Sequence, residues 1–158
     1  MTVRRVLVPA ALAAAALTPG FAGAEIGSTT TINGTPVPGS MAALAGKEVL
    51  LDYVQRDGNR LLVQQGVRKP GTRAPIQYHD FPGRTCVLTG TLTRFVEGKE
   101  PTSYPAGACY ETPVRVAMTA ANLGTEDVRL IDTSVAPADA PAIIVVEPGW
   151  PDLTDPTG

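Results

Sequence analysis

Few side chains in this sequence have types and spacings suited to chemistry. Its one histidine, His79, stands two residues after Gln77 in the stretch QYHDFPG. An imidazole there could move a proton near neutral pH or bind a metal ion. Acid–base work needs an orienting partner, and the adjacent Asp80 would point to the opposite face of an extended strand. Tyr110 and Glu111, in CYET, are the other groups that could reach a shared ligand pocket. Met118 offers a thioether, a donor that favours soft ions such as copper(I). Cys86 and Cys109 are the two cysteines. A nucleophilic role for either would have to draw on His79 as base, and no triad spacing supports it.

The N-terminus bears on the fate of those cysteines. A short basic segment with Arg4 and Arg5 leads into VLVPAALAAAALTPGFAGA, which ends in Ala22, Gly23 and Ala24. This is the pattern of a secretory signal peptide over residues 1–24. Pro9, Pro19 and Gly20 break the run, which is too short and interrupted for a stable membrane span. The expected location of the mature chain is therefore secreted or periplasmic. In such a compartment a cysteine pair reads as a candidate disulfide, Cys86 with Cys109, with two free thiols as the alternative. The net charge of −2 comes without basic clusters, which gives no footprint for nucleic acid. No second apolar run predicts membrane contact after cleavage.

The elements that would position these residues follow a period of two. KEVLLDYVQ and NRLLVQQGVRK read as strands joined at Asp57-Gly58, a strong hairpin signal. TCVLTG and TLTRFVEG form a second hairpin around Gly90, and GACYET, VRVAMTAAN, EDVRLIDTS and AIIVVEP continue the series. GSMAALAG is the one place where a helical turn is expected. Many short strands with glycine- and proline-rich separators predict an all-β sandwich or barrel. Its core is expected to hold Leu61, Val63, Val87, Leu88, Leu92, Val116 and Leu130 between two sheets. The domain limits follow: an N-terminal arm over 25–46, the β-barrel over 47–147, and a C-terminal tail over 148–158 that Trp150 could pin.

Two spaced patterns then stand out. Gly71, Gln77, His79, Gly83 and Gly90 fit G-x5-H-x-H-x3,4-E-x6-G, and Gly107, Pro113, Arg115, Met118 and Asn122 fit G-x5-P-x-G-x2-H-x3-N. In that order, without a gap, the chain resembles the cupin superfamily over about residues 61–131. The resemblance implies a jelly-roll barrel of the double-stranded β-helix type. It also implies that a bridge between Cys86 and Cys109 would staple the two motif strands together, and that two copies could pair through their sheets as a homodimer. Metal-binding cupins take their ligands from the two histidines and glutamate of the first motif and the histidine of the second. Here those positions hold Gln77, His79, Gly83 and Met118, so no metal cofactor is expected; were one bound, His79 and Met118 would be its ligands.

The reading that follows is a non-catalytic barrel whose partner is a small organic ligand near Gln77, His79, Met118, Tyr110 and Glu111, or a barrel kept as a scaffold. The alternative is a cupin enzyme, a dioxygenase, isomerase or decarboxylase, with a divalent metal in a rearranged site. Two smaller classes stay open: a metal-free enzyme using His79, and a soft-metal binder joining His79 and Met118 to a cysteine sulfur.

Overall fold

Short strands separated by glycine- and proline-rich turns make up the whole described chain. The computed structural model describes residues 27–150; the expected signal peptide over 1–24, the first two residues of the arm and most of the expected tail lie outside them. The arm opens with a small hairpin, β1 (Thr31–Ile32) and β2 (Thr35–Pro36), turned at Asn33-Gly34, both with positive φ. Next come β3 (Ser40–Met41), β4 (Ala45–Val54) and β5 (Asn59–Arg68), the last two joined at Asp57-Gly58 as the sequence predicts. Then follow β6 (Thr72–Arg73), β7 (Gln77–Tyr78), β8 (Gly83–Thr89) and β9 (Thr91–Val96), with Gly90 at φ 75° between the last two. The chain ends with β10 (Thr102–Pro105), β11 (Cys109–Glu111), β12 (Met118–Ala121), β13 (Val128–Pro137) and β14 (Ile144–Val145).

Two sheets face each other, as all-β chains of this pattern require. One runs β11-β8-β13-β5-β4; the other runs β10-β9-β12-β6-β3, with β7 and β14 attached through β12. Between them lies an apolar cluster of Val87, Leu92, Val96, Tyr110, Met118, Val128 and Leu130. A second cluster, Ile32, Val37, Ile76 and Ala117, backs the other face of the seven-stranded sheet. The arm is thus part of the fold: its hairpin covers that sheet, and β3 pairs with β6 in parallel.

Three sequence expectations need correction. GSMAALAG contains no helical turn; it supplies β3 and the start of β4. Leu88 is 45% exposed, because β8 turns Thr85 and Val87 inward. In the run Leu61-Leu62-Val63 it is Leu62 that faces the core, at 8% exposure, while its two neighbours are half-buried on the other face. Three consecutive apolar residues carry no parity, so sequence could not choose between the two faces. Strand β4 forms one edge of its sheet and leaves Val49, Leu50, Leu51, Tyr53 and Val54 exposed.

Candidate functional site

Gln77 and Met118 are direct cross-strand partners on β7 and β12, which puts their side chains on one face of the sheet. His79 joins them: the Gln77 amide nitrogen lies 3.4 Å from His79 Nε2. The other ring nitrogen, Nδ1, donates to the carbonyl of Ala142 at 2.9 Å. The carbonyl can only accept, so the proton sits on Nδ1 and Nε2 is the acceptor. Burial lowers the His79 pKa, and the Ala142 carbonyl only partly offsets that. The imidazole is therefore held neutral. Asp80 takes no part, since it pairs with Arg115 at 2.9 Å. Met118, 3% exposed, is packed inside the apolar cluster. The structure brings these three residues together.

Tyr110 shares the apolar cluster with Met118, but it and Glu111 lie on β11, at the seam where edge strands β10 and β11 leave a gap between the sheets. A cleft of about 360 Å³ opens there, lined by Arg94, Val96, Lys99, Tyr104 and Tyr110 among others. Tyr110 faces inward and is buried; that burial pushes its hydroxyl pKa well up. Glu111 points away, its carboxylate tied to Arg84 at 2.6 Å. Only its backbone serves the cleft, accepting from Arg94 Nη1 at 2.9 Å.

Arg94 is the residue that sequence reasoning missed. Its pairing with Ala120 puts it on the same inner face as Val96, the partner of Met118. The guanidinium lies 5.1 Å from the Tyr104 ring centre and 4.8 Å from that of Tyr110, within the range of cation–π attraction. Its Nε is buried without a hydrogen-bond partner, a deficit that typically costs about 1–3 kcal/mol. The signal was present: Leu92, Arg94 and Val96 alternate, which places an arginine on an apolar face. Also unforeseen is Asp132, whose carboxylate accepts from Thr85 at 2.5 Å and whose pKa is raised by burial.

Comparison with known proteins adds the fold's name. No protein-family model and no curated protein sequence matches the chain. Solved structures do. An RmlC-like cupin family protein with a double-stranded β-helix fold from Methanocaldococcus jannaschii superposes with a TM-score of 0.50 at 18% identity, covering 65% of this chain and 92% of that one. A protein with a double-stranded β-helix domain from Klebsiella pneumoniae gives 0.50 at 20%, covering 68% and 90%. A DMSP lyase from Ruegeria pomeroyi gives 0.51 at 13%, covering 65% of this chain and 51% of its own. The chain has the cupin fold.

The cupin framework positions prove to be backbone requirements. Gly71, Gly90 and Gly107 all have positive φ. A side chain at Gly90 would also meet Val128 at 2.9 Å. Arg115 occupies a motif glycine position, yet keeps φ at 54°, so the turn survives its glycine. Asn122 is fully buried. Its amide donates to the carbonyls of Arg68 and Glu126 and accepts from Gly124. The positions that carry ligands in metal-binding cupins hold Gln77, His79, Gly83 and Met118 here. A Cβ at Gly83 would lie 3.0 Å from Thr112 Oγ1 and 3.1 Å from the Thr133 carbonyl oxygen. Thr112 holds that space by accepting from the Gly83 N–H at 2.6 Å. Gln77 is an amide, and the thioether of Met118 is enclosed in apolar packing. Among the described residues no three His, Cys, Asp or Glu side chains converge.

Proposed function

We propose that this protein is an exported, non-catalytic cupin that binds a small organic molecule in the cleft between its sheet edges. The observation that carries the reading is where the open space lies. Gly83, where metal-binding cupins carry a glutamate, has Thr112 and the Thr133 carbonyl packed closely against it, while a cleft lined by two tyrosines and an arginine opens at the seam. Apolar walls with a few directional polar groups are the usual makeup of a small-molecule site. The Cys86–Cys109 disulfide supports an oxidising location.

Native mass spectrometry on protein purified from its own host tests the proposal. A bound organic species, released on denaturation, is the expected result, with a melting temperature that prolonged chelation leaves unchanged. A stoichiometric transition metal whose removal lowers stability would favour the metal-dependent alternative instead.

A further inference from the structure

We infer that the cleft recognises an organic carboxylate, with Arg94 as its anchor. The inference rests on the small-ligand reading above and names the ligand's class. Arg94 Nη1 is committed to the Glu111 carbonyl. The Nε–Nη2 edge is left over, and its Nε has no acceptor. That edge is the fork that takes a carboxylate side-on through two parallel hydrogen bonds. Among the described residues no carboxylate pairs with Arg94 or with the Lys99 ammonium, the second cation of the cleft wall. The one acidic residue of the wall, Glu111, is turned outward onto Arg84.

A partner for Arg94 Nε is therefore missing in a side chain that borders the cleft. Tyr104 sits half-buried on edge strand β10 and supplies a ring face for the organic part of the ligand. Because Nε is covered in the ligand-free chain, binding must displace a neighbouring group. Tyr104, on edge strand β10 with its ring centre 5.1 Å from the guanidinium, is one such neighbour.

The test uses three probes on isotope-labelled full-length mature protein: sodium benzoate, its neutral isostere benzamide, and inorganic phosphate. Benzoate is expected to shift the Arg94 Nε–H resonance and the Tyr104 ring signals saturably, with benzamide roughly tenfold weaker or worse. Arg94→Lys should weaken benzoate roughly tenfold and benzamide by much less, because one point charge replaces the fork that pairs with a carboxylate. Lys99→Gln, at an exposed position, should weaken benzoate by only about threefold, and less so at high salt. Equal affinity for benzamide and benzoate would overturn the carboxylate assignment while leaving the small-ligand cleft standing. Phosphate binding as tightly as benzoate would overturn the organic class. Benzoate shifts confined to other surfaces, or none at all, would overturn the inference outright, whatever native mass spectrometry finds. Should Arg94→Lys fail to fold, the Nε–H shift in the unaltered protein still decides.

Discussion

A histidine whose Nδ1 proton is given to a backbone carbonyl has its tautomer set by the fold, and His79 is in that state. Protonation would place a second N–H against the Gln77 amide nitrogen, turning an acceptor into a repelled donor unless the amide rotates. The folded chain thus resists taking the proton, and its His79 pKa lies below the ordinary value, chiefly through burial. With the folded value depressed, the unfolded chain binds the proton first as pH falls. Stability is fully present above about pH 6.5 and declines below it, by at most about 1.4 kcal/mol per pH unit for one proton. Urea denaturation at pH 7.5 and 5.5 checks this. His79→Asn retains an N–H for the Ala142 carbonyl but cannot titrate, so it should show a smaller loss between the two pH values. An unchanged slope would mean that His79 is already solvated. Sequence reasoning brought His79 and Gln77 to one face through their spacing. It could not see Ala142, which approaches from a segment 63 residues away.

At the scale of elements, the strand β14 depends on an ion pair that no motif announced. Glu147 forks onto Arg73 with two contacts of 2.6 Å and also accepts from the Ile76 N–H at 2.8 Å. Burial works to raise its pKa, but the guanidinium and the amide outweigh it and hold the carboxyl below its ordinary range. Thr29, in the arm, donates to the Val146 carbonyl, so both ends of the described chain are tied at this point. Glu147→Gln would leave the Arg73 guanidinium buried against a neutral amide, an expected loss of about 3–5 kcal/mol. In the parent chain the contribution is present above the ordinary carboxylate range and is lost as pH falls through the depressed folded value. Denaturation midpoints with hydrogen exchange at Val146 and Glu147 measure both; a variant as stable as its parent would refute the role. The hairpins at Asp57-Gly58 and Gly90 were legible because turn chemistry is local. The fork was not, since Arg73 and Glu147 lie 74 residues apart and read as ordinary surface charges. The same limit hid the arm's packing: nothing local in TTTINGTPVPGS says that Ile32 and Val37 lie against Ile76 and Ala117.

For the whole molecule, the weak place is where the cleft opens, because β11 is only three residues long and lies at the edge of its sheet. It carries Tyr110, a wall of the cleft. Cys109 on β11 is the direct partner of Cys86 on β8, and the disulfide between them closes a separation of 23 residues. The bridge lies on the outer side of the sheet, since Thr85 and Val87 take the inner positions of β8. Cys109 also borders the cleft, so the bridge secures the strand that carries Tyr110 at the cleft's own margin. Closing a loop of that length should stabilise the fold by about 3 kcal/mol, mostly by restricting the unfolded chain. Cys86→Ala with Cys109→Ala should lose about that much in denaturant. The loss of hydrogen-exchange protection should be largest at Tyr110 and Thr112, while β5 and β13, paired over ten residues, keep theirs. If benzoate binds as inferred, its affinity should fall with the ordering of β11 even though neither cysteine side chain is charged. An unaltered denaturation midpoint, or protection lost evenly across both sheets, would show that the bridge does not hold the cleft edge in place.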